Sequence, residues 1–270
     1  MMVCWKRITA IAAAILFVMP VFKVRAGGCP TEPDWSYSGA NGPAHWNTLF
    51  PYQCGTGTRQ SPFAIDSKNG VTRAKLPKLV FHYNVADVTV LDHDDQVTLD
   101  HGAGNYITIG KTRYDLINVH EHTPSEYTLN GTQYPMEIHL VHQDLQSGAL
   151  AVVGVFVVEG KPDRGVLEAP TSSEPSTVDL KLTDLIPHNR AYLRFNGSLT
   201  TPGTTTTPPR CAEGVLWTEM LTPIQMSADQ ISAFEDSAEA CWGTRVTNRP
   251  VQPINNRFVL KPKSAINADP

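Results

Sequence analysis

A length of 270 residues suits one large domain or two small ones, and no composition break or long linker divides the chain, so one domain is predicted over 27–270. The net charge is −4. Without the first 26 residues, which carry Lys6, Arg7, Lys23 and Arg25 and no acidic residue, the 22 basic residues fall to 18 against 26 acidic ones and the charge to −8. A surplus of that sign argues against nucleic acid, whose recognition needs a basic face.

Residues 1–26 read as a secretory signal peptide. A short segment with Lys6 and Arg7 precedes an apolar run over 8–22, and small residues follow at Ala26, Gly27 and Gly28. The apolar run is shorter than the ~20 residues of a membrane span, so a cleaved signal and a secreted, periplasmic or lumenal product are expected. No later stretch is apolar enough to span a bilayer, and the polar end over 261–270 carries no lipid-anchor signal. Cys4 leaves with the signal. Cys29, Cys54, Cys211 and Cys241 remain, an even number that suits two disulfides in an oxidising compartment. Four cysteines allow three pairings, and spacing does not choose among them.

Strand signals dominate the chain beyond the signal. Short runs of branched and aromatic residues occupy 79–81, 87–91, 96–99, 106–109, 114–122, 136–142, 150–158 and 191–195, separated by turn formers such as Gly102, Gly104, Asn130-Gly131 and Ser147-Gly148. Two short helices are predicted, over 178–185 and 227–239. In the second, Ser227 caps the amino end and Ile231 and Phe234 form an apolar face. Residues 200–209 are the one low-complexity stretch and read as a loop. The fold class is therefore mainly β, with a few short helices.

Three of the nine histidines stand out. His120 and His122 are one residue apart in a strand-like run, so both imidazoles project to one side. His139 lies in the next run, and antiparallel pairing of the two strands would complete a three-nitrogen face. Three imidazoles with one open position commonly hold catalytic zinc, which makes hydroxide available near neutral pH. Glu137, two residues before His139 on the same strand face, is placed to accept that ring's other N–H.

These motifs carry a resemblance. Asn118-Val119-His120-Glu121-His122, then Thr123-Pro124-Ser125-Glu126, then Met136-Glu137-Ile138-His139-Leu140-Val141-His142 resembles the metal-binding segment of α-carbonic anhydrases. Trp35-x-Tyr37, Asn41-Gly42-Pro43-Ala44-His45-Trp46 and Arg59-Gln60-Ser61-Pro62 look like the family's earlier blocks. Leu150 to Phe156, Asn196-Gly197-Ser198-Leu199-Thr200-Thr201-Pro202, Cys211-x-Glu213-Gly214-Val215-x-Trp217 and Asn248-Arg249-Pro250-x-Gln252-Pro253 match later ones. The matches run in unbroken order over about 35–257. The resemblance implies a large twisted, mostly antiparallel central sheet, zinc bound by His120, His122 and His139, and reversible hydration of carbon dioxide to bicarbonate and a proton. It also implies that Thr200 accepts a hydrogen bond from the attacking hydroxide and passes its own to Glu126. Val141, Val152, Leu199 and Trp217, with Tyr37 and Thr201, would line the substrate pocket. Asn118 and Glu137 would orient His120 and His139, and a backbone carbonyl His122. Cys54 and Cys211 match positions that pair in many exported members, which leaves Cys29 for Cys241.

Four departures from the family pattern bear on function. Its common proton-relay histidine falls on Asp95, whose ordinary pKa of ~3.9 suits that task poorly at neutral pH; His93, two residues away, is the alternative. Tyr127 stands where the family usually has histidine. Glu121, between two ligands, replaces an aromatic and should face away from the metal. Residues 203–207 are an insertion, so that Thr206-Thr207-Pro208-Pro209 repeats the loop motif and makes Thr206 a rival to Thr200. Asn130-Gly131-Thr132 and Asn196-Gly197-Ser198 are glycosylation sequons for a eukaryotic chain. The competing reading is a non-catalytic binding or structural protein of the same fold, and a further one an esterase using the same metal.

Overall fold

The computed structural model describes residues 34–83, 88–93, 96–100, 104–161, 176–178, 181–203 and 210–263. The export signal read over 1–26, Cys29, Asp95 and Thr206 lie outside the described residues.

Ten strands form the main sheet: β1 Val71–Ala74, β2 Leu79–His82, β3 Tyr106–Ile109, β4 Thr112–His122, β5 Met136–Gln143, β6 Leu150–Glu159, β7 Tyr192–Ser198, β8 Glu213–Met220, β9 Ile224–Met226 and β10 Val259–Pro262. Their order is β1-β10-β7-β8-β6-β5-β4-β3-β2, with β9 added alongside β6. Pairing is antiparallel except where β6 meets β8 and β9 and where β10 meets β1. Every predicted strand is present, two of them, Val88–His93 and Gln96–Asp100, in a small separate sheet with Ser176–Val178. The helix expected over 178–185 is not formed. Val178 ends that short strand and only Leu182–Leu185 makes a 3-10 turn, because Val178 pairs with Val88 instead of continuing a helical repeat.

Strands β5 and β6 are buried on both faces, as their near-continuous runs of branched residues require. On one face Val119, Ile138, Leu140, Val153 and Val155 pack with Ile231 and Phe234 of the helix Ala228–Trp242. That helix starts in a capping box between Ser227 and Gln230 and stops at Gly243, whose φ of 65° is a left-handed cap. On the other face Phe63, Tyr127, Val141, Val152, Phe195 and Trp217 form a second cluster. A third cluster, Trp35, Tyr37, Trp46 and Trp242, encloses the disulfide Cys54–Cys211, which spans 157 residues. Cys241 is also disulfide-bonded. Among the described residues no helix is long and apolar enough to cross a membrane.

Candidate metal centre and active site

Strand alternation sets Asn118, His120 and His122 on one face of β4, and antiparallel pairing brings β5 beside it with His139 opposite His120, Glu137 opposite His122 and Val141 opposite Asn118. The three histidines are buried, and one ring nitrogen of each lies within 4.8 Å of the others. His139 Nδ1 and His120 Nε2 are 3.3 Å apart. A tetrahedral set of nitrogens at ~2.0–2.1 Å from a zinc ion has edges of about that length, ~3.3 Å.

The opposite ring nitrogens are all engaged. His120 Nδ1 is hydrogen-bonded to Asn118 Oδ1, His122 Nδ1 to the Thr247 carbonyl at 2.7 Å, and His139 Nε2 to Glu137 Oε1 at 3.0 Å. Each acceptor fixes a tautomer, and the nitrogens left with lone pairs are the converging three, His120 Nε2, His122 Nε2 and His139 Nδ1. Burial favours the neutral rings. It holds His120 well below the usual imidazole range, lowers His122, and lowers His139 to about 4. Neutral imidazole is the form that binds metal. Asn118 reaches its histidine because the two share one strand face two residues apart.

A network of backbone donors holds the acids beneath. Glu137 Oε2 accepts from the N–H groups of Glu126 and Tyr127 at 2.8 and 2.9 Å, while burial raises its carboxyl to about 7. Glu126 Oε1 accepts from Arg249 N at 2.9 Å; its Oε2 is buried without a hydrogen-bond partner, 3.5 Å from His122 Nε2. Thr200 is 5% exposed, and no hydrogen bond joins it to Glu126 in this structure. Its loop is fixed on both sides by Leu199 N to Ala212 O and Cys211 N to Thr201 O.

The other predicted pocket residues assemble beside the histidines. Val141, Val152 and Trp217 are buried in one cluster with Leu199 against it, and the Trp217 ring is 4.8 Å from that of His139. Tyr37 meets the His122 ring edge-on at 6.5 Å. His93 ends its strand in antiparallel register with Gln96. Tyr127 is accommodated by a partner of its own. Its hydroxyl donates to Ser61 Oγ at 2.7 Å and its ring packs edge-on against Phe63. Glu121 is half-buried on the opposite face, in register with Ile138.

Three participants escape a reading of the sequence. Thr247 orients His122 from 125 residues away. Arg249 places its N–H on Glu126 and its guanidinium on Gln60 Oε1 and the Ser61 carbonyl. Glu219 lies buried in the same cross-strand row as His139 and Gly154. Val215, two residues before Trp217 on β8, also joins the apolar cluster, and strand alternation was the signal that could have found it.

Comparison with known proteins agrees with this geometry. The profile of eukaryotic-type carbonic anhydrases matches residues 41–263. A carbonic anhydrase of Klebsiella pneumoniae is 34% identical, with 84% of this chain and 90% of that protein aligned, and one of Nostoc sp. is 30% identical over 91% and 95%. The α-carbonic anhydrase of Thermovibrio ammonificans, solved with the inhibitor sulfanilamide, superposes with a TM-score of 0.73 at 36% identity, covering 87% of this chain and all of that one. The chain belongs to the eukaryotic-type carbonic anhydrase family.

Proposed function

We propose that His120, His122 and His139 hold zinc and that the protein catalyses the reversible hydration of carbon dioxide to bicarbonate and a proton. The observation that carries this reading is the set of three converging ring nitrogens, each left free because the other nitrogen of its ring is already bonded. Neutral, all-nitrogen donors at tetrahedral spacing fit zinc. When bound, zinc lowers the pKa of a water to ~7 and so supplies hydroxide at neutral pH.

The protein's own groups do the rest. In the metal-loaded site Thr200 would accept a hydrogen bond from the attacking oxygen and donate its own to Glu126 Oε2, an acceptor that is buried and unused in this structure. That pair aims a lone pair at the carbon, and orientation of this kind lowers the barrier. Val141, Val152, Leu199 and Trp217 offer an apolar wall to carbon dioxide; Tyr37, 6.5 Å from the His122 ring, and Thr201 are assigned to the pocket by the family resemblance. Asn118, Glu137 and the Thr247 carbonyl keep the three rings in the tautomers that bind. The released proton must go to solvent, and Asp95 and His93 are the candidates to carry it. The signal read over 1–26 puts the activity outside the cytoplasm, which amino-terminal sequencing of the mature protein checks.

Metal analysis together with stopped-flow hydration and ester turnover, before and after chelation, tests this reading. Stoichiometric zinc and hydration that chelation abolishes and zinc restores are expected. A zinc-loaded protein without hydration activity would favour the binding or structural reading. Ester turnover without hydration would favour the esterase.

A further inference from the structure

A pocket of about 850 Å³ opens on the face of the sheet turned away from the histidines. Its floor comes from neighbouring strands: Arg194 and Asn196 of β7, Leu216 of β8 and Leu260 of β10. Arg194, Asn196 and Leu216 alternate with Phe195 and Trp217 of the metal-side cluster, so this floor lies on the opposite face of shared strands, while Phe195 also lines the pocket and Arg257 lies over the Phe63 ring at 4.3 Å. The volume falls in the range of small-molecule sites.

The lining joins two kinds of surface. Arg59, Arg194 and Arg257 bring three guanidinium groups, and no aspartate or glutamate accompanies them among the described lining residues. That is a local excess of positive charge on a chain whose net charge is negative. The same pocket presents Leu76, Pro77, Leu216, Phe258 and Leu260.

Arg194 is the telling residue. It is 3% exposed, yet its bonds run only to neutral groups: Nε and Nη2 to Thr218 Oγ1, each at 3.2 Å, and Nη1 to the Pro77 carbonyl at 3.3 Å. A cation out of water without an anion is unfavourable. Arg257 gives Nε and Nη2 to the Ile254 and Pro253 carbonyls and leaves Nη1 buried without a partner. Glu213, the acid whose field reaches Arg257, has Oε1 taken by Arg59 N and Gln60 Nε2 and does not line the pocket.

We infer that this pocket binds an amphipathic organic carboxylate, its head group on Arg194 and the neighbouring guanidinium groups and its apolar body on Leu216, Leu260 and Phe258. Planar guanidinium matches a carboxylate in two-point geometry, and the apolar wall excludes water from that contact.

Decanoate titrated into the metal-loaded full chain, monitored by methyl NMR, tests the inference. Saturable shifts are expected at the Leu76, Ile109, Leu216 and Leu260 methyls and none at Val141, Val152 and Leu199. Decanol, with the same tail and no charge, should bind at least tenfold more weakly, and Arg194→Met should weaken decanoate by a similar factor. Since Arg194 is buried, Arg59→Ala on the exposed rim provides a second variant, expected to weaken decanoate several-fold. Equal binding of decanol, shifts confined to the metal side, or no saturable shift would overturn the proposal. So would a dimer in solution that shields these methyls from decanoate.

Discussion

The carboxylate of Glu219 occupies the space that a side chain at Gly154 would fill: a Cβ on Gly154 would lie 2.1 Å from Glu219 Oε2. Pairing of β5, β6 and β8 sets His139, Gly154 and Glu219 in one cross-strand row, so the glutamate leans over the glycine on the metal side of the sheet. A side chain at 154 would force the Glu219 carboxylate to shift. Both Glu219 oxygens are buried without a hydrogen-bond partner. Burial, and then the charge of Glu137, push its carboxyl well above the ordinary range and so favour its neutral form.

That relationship predicts a steric coupling. Gly154→Ala should destabilise the protein by about 1–3 kcal/mol through overpacking, and adding Glu219→Ala should recover much of the loss. Urea denaturation of the two single variants and the double variant measures the coupling. Additive losses would show that the two side chains do not compete for space.

A pH dependence arises from the same residue. The folded state keeps a proton on Glu219 that the unfolded chain releases above about pH 4.3. The stability this proton confers is complete below that pH and is lost as pH rises toward the raised folded value, at up to about 1.4 kcal/mol per unit. Glu219→Gln removes the term, so the variant should gain on the wild type as pH goes from 5 to 8. The histidine and metal contributions are common to both proteins, while Glu137, whose charge acts on Glu219, titrates together with it, so the difference reports the pair. Parallel stability curves would place the proton elsewhere.

Thr200→Ala should lower kcat/KM on the order of 10²-fold, the usual size of one orienting hydrogen bond lost at a reacting oxygen. Thr200→Ser should retain most of the rate, and Thr206→Ala nearly all of it. A large loss in Thr206→Ala with Thr200→Ala unaffected would transfer the role to the repeated motif.

Arg249 is 1% exposed and holds Gln60, Ser61, Asn47 and Cys54 through its guanidinium, all by uncharged acceptors. Burial lowers its pKa to about 10. Arg249→Met would leave several buried acceptors unpaired and should destabilise by about 3 kcal/mol or more. Turnover measured well below the melting temperature should change only a few-fold, since Glu126 is held by the backbone N–H of residue 249.

If Asp95 holds the relay position that the resemblance assigns to it, proton release should limit the enzyme in weak buffer. Added imidazole buffer should raise turnover, and Asp95→His should raise it on the order of 10-fold at low buffer. Turnover insensitive to buffer would point to a working relay, and loss of that turnover in His93→Ala would assign it to His93.

The candidate metal ligands were legible in the sequence because strand geometry is local. A two-residue period puts His120 and His122 on one face whatever else the chain does, and the turn at Asn130-Gly131 implies an antiparallel return that brings His139 alongside. Asn118 and Glu137 obey the same period. The Ser227 cap was legible for the same reason, since its partner Gln230 is three residues away. The helix expected over 178–185 failed because a distant strand, Val88–His93, captured Val178.

What only the tertiary structure decided depends on partners that no local pattern names. The carbonyl that orients His122 belongs to Thr247, the N–H on Glu126 to Arg249, and the carboxylate over Gly154 to Glu219. The parallel pairing of β6 with β8 sets that last contact, and its register is fixed by packing across the whole sheet rather than by a turn. By itself the sequence determined which side chains could form a metal face. The folded chain decided which nitrogen of each ring is free, because the opposite nitrogen's partner is a two-residue neighbour for His120 and His139 and a distant backbone carbonyl for His122.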